Sequence, residues 1–249
     1  MDLAQYFSHD DGAVSFTEQQ GSAFAKSVAR DFNPIHDPGS RRFCVPGDLL
    51  FCVLLYHYGV ARNSSVQFSG MLDAKTRMDL PEITNDRVHI TDARNRALLS
   101  LFLDGEKISH PGFIAALSEA YVKFSGKTFP EILVPLMRSA NVMINPDRPL
   151  VIYKDMAIAL NQDWQFPFAD DAPVTNLNLQ MSDTDISVNG RKGAVRLRFD
   201  IRLGDVSIGS GEKNMVLSGL RDFDEVAMQS IVDQYNQWRE DYATQTPNS

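Results

Sequence analysis

Cysteine is scarce in this sequence. There are two in 249 residues, Cys44 and Cys52. They stand eight apart, which is neither a CxxC pair nor a disulfide framework, and Cys52 sits inside an apolar run. The expectation is two buried, reduced thiols in the cytoplasm. Basic side chains are also in deficit: 24 Lys and Arg face 32 Asp and Glu, a formal net charge of −8. That balance argues against non-specific nucleic-acid binding, which needs a basic face to neutralise phosphates, so no nucleic-acid partner is expected. Long apolar runs are missing. The best of them, "LLFCVLLYHYGV" (49–60), falls short of the ~20 residues that span a bilayer. The opening "MDLAQYFSHDDGAVSF" lacks the basic start and apolar stretch of a secretory leader, so no membrane partner is expected. GxSxG, a GxGxxG at a strand–helix junction and GxxxxGK[ST] are all absent. His9, His89 and His110 are scattered, and without HxxxH or a Cys/His cluster no metal is expected.

What is present is the material of a core. Hydrophobic residues make up 43 % of the chain and charged residues 22 %, ordinary figures for a globular protein. Over Val14–Phe32, Phe24, Val28 and Phe32 recur every fourth residue, which predicts an amphipathic helix, with Ser15 and Glu18 spaced as a capping box. Pro34 is expected to end it. Pro46 and Gly47 open a second helix, 47–58, apolar all round and therefore buried, with His57 packed in its core and Asp48 favoured by the helix N-terminus. "GFIAALSEAYVKF" tips toward helix. Phe129–Ile144 predicts a further apolar helix, kinked at Pro135.

Strand signals alternate with these helices. "SSVQFSGML", "RVHI" and "RALLSLFL" read as strands, the last ending in an Asp104-Gly105 hairpin turn. "RPLVIYKDMAIAL" reads as one or two more. "AVRLRFDIRL" is the clearest: Val195, Leu197, Phe199, Ile201 and Leu203 on one face, Arg196, Arg198, Asp200 and Arg202 on the other. "VNGRKG" and "GSGEK" read as hairpin turns, with "VSIGSG" and "KNMVLSGL" as separate strands. A last helix from about Asp222 to Asp241 turns Phe223, Val226, Tyr235 and Trp238 inward, before a frayed "ATQTPNS". A buried helix followed by antiparallel strands, twice, divides the chain into residues 1–124 and 125–249.

The stretch "RDFNPIHDPG", Arg30–Gly39, holds the chemistry. Asp31, Asn33, Pro34 and His36 form Asp-x-Asn-Pro-x-His, followed by a loop and "VPGDLLFCVLL". This resembles the hydratase motif of the MaoC-like, (R)-specific enoyl-CoA hydratase family over about residues 14–60. The resemblance implies an α+β hotdog fold, here as a double hotdog. It implies reversible hydration of a 2-enoyl thioester, with Asp31 and His36 as the catalytic acid–base pair and the Gly47 N–H as oxyanion donor. The physics agrees. An Asp and a His on one rigid turn reach the same water and C=C, and a helix-start N–H receives developing negative charge. Asp31, at a helix C-terminus, is expected to have its pKa raised by the dipole.

Asn33 is expected at the substrate as a local cap. Arg41 and Arg42 have two readings: a solvated pair, or a hold on the phosphate of coenzyme A or on an acyl carrier protein. No cofactor is implied beyond the coenzyme A or carrier protein that the substrate brings. A homodimer is implied by family analogy. Two rivals stand beside the hydratase: a hotdog thioesterase using Asp48, and a non-catalytic acyl-thioester-binding module whose short 37–46 loop closes the site.

Overall fold

The computed structural model describes residues 1–92, 94–145, 151–170 and 172–245. Two short strands open the chain, β1 (Ser8–Asp10) and β2 (Ala13–Ser15), followed by α1 (Glu18–Ala23). The expected helix over 14–32 is thus shorter. Its cap is Thr17, not Ser15. Thr17 Oγ1 accepts from the Gln20 N–H, and Gln20 Oε1 accepts from the Thr17 N–H, a complete capping box two residues further along. The helix continues as a widened turn over Phe24–Val28.

The helix α2 (Gly47–Tyr58) is buried along almost its whole length, as its all-round apolarity requires. Its C-terminal turn departs from expectation: Tyr56 is 61 % exposed and His57 is also exposed, so His57 is a surface residue. After it come β3 (Val60–Phe68), β4 (Met78–Asp79), β5 (Arg87–Thr91) and β6 (Ala97–Ile108). The strand β6 runs straight through Asp104-Gly105, which is no hairpin. Gly105, at φ +85°, and Glu106 face the single residue Arg62, where the β3–β6 register shifts. A residue in the left-handed region opposite one partner residue is a bulge, and glycine adopts it without strain.

The second central helix is α3 (Pro111–Ser125), not Phe129–Ile144. The latter segment is instead broken into a widened turn over Thr128–Ile132, α4 (Leu133–Ser139) and β7 (Val142–Met143). Pro135 falls in the first turn of α4, where its missing N–H costs little. Long strands follow: β8 (Val151–Leu160), β9 (Leu177–Asn189), β10 (Lys192–Leu203) and β11 (Val206–Ser218). Arg148, Pro149 and Leu150 of the expected strand lie outside the described residues, as does most of "ATQTPNS". "GSGEK" is no turn but the middle of β11. Gly211 sits where a β-carbon would fall 2.3 Å from the Phe199 ring, so its bareness makes room for a core aromatic. The chain closes with β12 (Arg221–Asp222) and α5 (Glu225–Gln245); Val226, expected inward, is 82 % exposed.

Seven strands form one antiparallel sheet in the order β5-β6-β3-β8-β11-β10-β9. The alternation of β10 holds: Val195, Leu197, Phe199 and Ile201 are buried. Against this face lie α2 and α3. Phe51 of α2 meets Tyr121 of α3 at 4.6 Å, and Phe124 of α3 meets Phe199 of β10 at 4.9 Å. Two buried helices against one antiparallel sheet make the α+β hotdog fold.

Candidate active site

The site begins where the first helix ends. Arg30 is left-handed, at φ +55°. The Asp31 N–H then reaches back to the Ala25 carbonyl at 2.8 Å, satisfying an orphan helix acceptor. The stop therefore comes at Arg30, four residues before Pro34, not at it. Two neighbours hold this strained corner. From α5, the Tyr235 hydroxyl donates to the Arg30 carbonyl (3.1 Å) and accepts from the Phe32 N–H (3.1 Å). At the C-cap of α3, Gly126 packs so closely that a β-carbon would lie 2.2 Å from the Ala29 carbonyl oxygen.

Asp31 Oδ1 accepts from the Asn33 N–H (2.9 Å), and Asn33 Oδ1 accepts from the Ile35 N–H (3.2 Å), capping the single turn Pro34–His36. His36 is buried. Its Nδ1 donates to the Cys44 carbonyl at 2.7 Å, which leaves Nε2 facing Asp31 Oδ2 at 3.6 Å. The separation is an ion-pair distance slightly longer than a direct hydrogen bond, the spacing at which a bound oxygen can serve both groups.

Burial disfavours the Asp31 charge. The hydrogen bond and charge of His36, the Asn33 N–H and the more distant Lys213 outweigh it and hold the carboxyl below its ordinary 3.8. Burial likewise disfavours a charged His36, yet Asp31, with help from the Cys44 carbonyl and Asp48, raises the imidazole above 6.5. Between pH 3.8 and 6.5 the pair is therefore carboxylate and imidazolium. The helix dipole does not raise Asp31 as expected; the adjacent ring decides.

Both residues line a cavity of about 390 Å³, partly open to solvent. Asn33 and Gly47 line it too, and the rest of its wall is largely apolar: Leu50 of α2, Phe68 of β3, Ile231 and Trp238 of α5 among others. The 37–46 loop leaves this space open. Gly47 begins α2, and its N-cap, Pro46, offers no side-chain hydrogen bond. A β-carbon on Gly47 would fall 2.4 Å from the Tyr153 ring. Arg41 and Arg42 are exposed and outside the cavity lining. Cys44 lines the cavity, but burial pushes its thiol up to about 11, so it is no nucleophile. Cys44 and Cys52 are both free thiols, but of the two expected to be buried only Cys52 is fully so and Cys44 is half-buried. Among the described residues no group of His, Cys, Asp and Glu is placed to hold a metal ion. Nor is any helix among them long and apolar enough to cross a membrane.

Behind Gly47 lies a polar cluster that sequence reading missed. Asp48 is 3 % exposed. Its Oδ1 accepts from Ser125 Oγ (3.0 Å) and Lys213 Nζ (3.2 Å), and its Oδ2 from the Tyr153 hydroxyl (3.2 Å). Lys213 is wholly buried, donates also to Ser125 Oγ at 2.6 Å, and lies 3.7 Å above the centre of the Tyr153 ring. The one available signal was periodicity: Lys213 shares its strand face with Met215 and Leu217, both buried. Tyr235 was expected on the inner side of the last helix and is buried there, but its partners, about two hundred residues away, left no local signal.

Residues 1–226 match a family model described as "Protein of unknown function (DUF3581)". The chain belongs to this family. The match stops at Val226, in the first turn of α5, so Tyr235 and Trp238 lie beyond it. No curated protein matches the sequence. Several solved structures are similar, among them the following three. One is a conserved protein of unknown function with a hot dog fold from Alicyclobacillus acidocaldarius (TM-score 0.46, 9 % identity, 87 % of this chain, 97 % of that one). Another is a MaoC-like dehydratase (0.40, 10 %, 87 % and 98 %). The third is an acyl-CoA thioesterase II, TesB2, from Mycobacterium marinum (0.41, 10 %, 89 % and 99 %). At such identities the likeness is one of fold.

Proposed function

We propose that this protein is a lyase that reversibly hydrates a 2-enoyl thioester. The observation that carries the reading is the Asp31–His36 pair, 3.6 Å apart and facing a largely apolar cavity beside the start of α2. In the ionised state one point of the cavity is offered both an acceptor and a donor. A water held there gives a proton to the Asp31 carboxylate as its oxygen adds to the β-carbon. The His36 imidazolium delivers a proton to the α-carbon, and transfer from the Asp31 carboxyl to His36 then restores the pair. Charge that gathers on the thioester oxygen is met by the Gly47 N–H, one of the helix-start donors with no intrahelical acceptor. Asn33 fixes the turn. The apolar wall fits an acyl chain, and the thiol portion is coenzyme A or an acyl carrier protein.

As part of the same reading, the chain acts as two hotdog units with β3 and β8 as their seam, and the boundary expected between residues 124 and 125 moves to before α3, so that each unit keeps one central helix. The setting is the cytoplasm, and a homodimer is the assembly to look for. The thioesterase reading needs Asp48 at the thioester carbonyl. Asp48 is outside the cavity lining and both its oxygens are engaged, which weighs against it. The test is hydration of crotonyl-CoA and longer 2-enoyl-CoA esters, followed by loss of enoyl-thioester absorbance. Turnover supports the proposal. Release of free thiol without hydration, or no turnover at any chain length, sinks it.

A further inference from the structure

The acid–base pair is not the only ion pair here. Asp48 and Lys213 form a second one, buried, directly behind the cavity wall. Replacing such a buried pair by apolar residues is often neutral or stabilising, so stability alone gives no reason for this one. Its surroundings do. The pair is linked to the cavity by Ser125 and Tyr153, which touch both charges and also line the cavity with Asp31 and His36. The Tyr153 ring packs against both Lys213 and Gly47.

We propose that Asp48 and Lys213 are positioning residues: a fixed buried dipole that keeps Asp31 as carboxylate and His36 as imidazolium, with the Lys213 charge acting on Asp31 and the Asp48 charge on His36. The groups facing the pair support this sense. Lys213 from β11 favours the Asp31 charge and Asp48 from α2 favours the His36 charge. The remaining titratable neighbours, Tyr121 from α3, Tyr153 from β8, Tyr235 from α5 and the Cys44 and Cys52 thiols, are groups whose pKa values burial raises, so they stay neutral; burial lowers Lys213, and Asp48 and Asp31 act in the opposite sense to favour its charge. The two buried charges therefore widen the pH range of the ionised pair from both ends. Water molecules reaching Asp31 through the cavity cannot screen Lys213, which has no exposed surface.

The test is the double variant D48N/K213M of the full chain, which removes both charges without leaving one unpaired. His36 is followed by its imidazole NMR signals against pH, alongside pH profiles of kcat and kcat/KM on a 2-enoyl-CoA. The expected result is a folded protein whose His36 titrates lower by about half a pH unit or more. Its activity bell narrows at both edges, and kcat falls about tenfold while KM stays within about twofold. A purely structural pair moves neither the His36 titration nor the bell, and an unchanged titration in a folded variant overturns the proposal. Should D48N/K213M not fold, D48L/K213M carries the same readouts; failure of both to fold assigns the pair to structure and overturns it equally. The kinetic arm rests on the hydratase reading and the NMR arm does not, so a wild type without turnover sinks that reading while the titration still decides this one.

Discussion

Asp31 Oδ2 stands 3.6 Å from His36 Nε2, and the other nitrogen of that ring already donates to the Cys44 carbonyl. The ring thus has one nitrogen free for chemistry, and it points at the carboxylate. Asp31→Asn removes the proton acceptor and His36→Ala the donor. Each is expected to lower kcat for enoyl-thioester hydration by about 10²- to 10⁴-fold. Melting should remain cooperative. Near-normal turnover in either variant would exclude the pair from the chemistry.

The same pair makes stability depend on pH, with a definite sign. Asp31 is held below 3.8, so its contribution is present above that value and lost as pH falls through the folded-state value. His36 is raised above 6.5, so its contribution is complete below 6.5 and lost as pH rises through the folded-state value. Both are present between 3.8 and 6.5. Urea midpoints should be higher at about pH 5 than at about pH 9, and the difference should shrink in His36→Ala. A midpoint that climbs steadily with pH contradicts the assignment.

Tyr235→Phe keeps the ring contacts with Phe32 and Phe129, at 5.9 and 5.0 Å, and deletes only the hydroxyl. The buried Phe32 N–H then loses its partner. The expected cost is about 1–3 kcal/mol by chemical denaturation. Activity should fall as well, because the corner that sets Asp31 is no longer pinned. Unchanged stability and rate would mean that the bond to the corner is dispensable.

Trp238→Ala removes a large ring from the cavity wall. Each added methylene that finds apolar surface is worth about 0.8 kcal/mol. The ratio of kcat/KM for long over short 2-enoyl-CoA esters is therefore expected to rise by about tenfold. An unaltered chain-length profile would place the acyl chain elsewhere.

How much of this was legible in the sequence follows from where each constraint originates. The strand β10 announced itself, because one wet face and one dry face impose a period of two. The helix α2 was equally plain, since only a buried helix tolerates apolar residues all round. Asp104-Gly105 misled because the glycine that permits a hairpin turn permits a bulge as readily, and only the register opposite Arg62 separates them. The motif residues Asp31, Asn33, His36 and Gly47 do gather at one cavity. The ionisation of Asp31 was misjudged, because its helix was visible in the sequence while the groups that govern it come from the following turn and from β11. Lys213 was hidden among strand residues where a charge ordinarily faces water.

The Tyr235 anchor carries a consequence in time. Its two partners at the corner precede it by roughly two hundred positions. During synthesis on a ribosome, the turn bearing Asp31 and His36 emerges early and stays unpinned until α5 has been made. A nascent chain therefore holds the reactive residues long before it holds them in register, and any processing that severed α5 would return the finished protein to that unassembled condition.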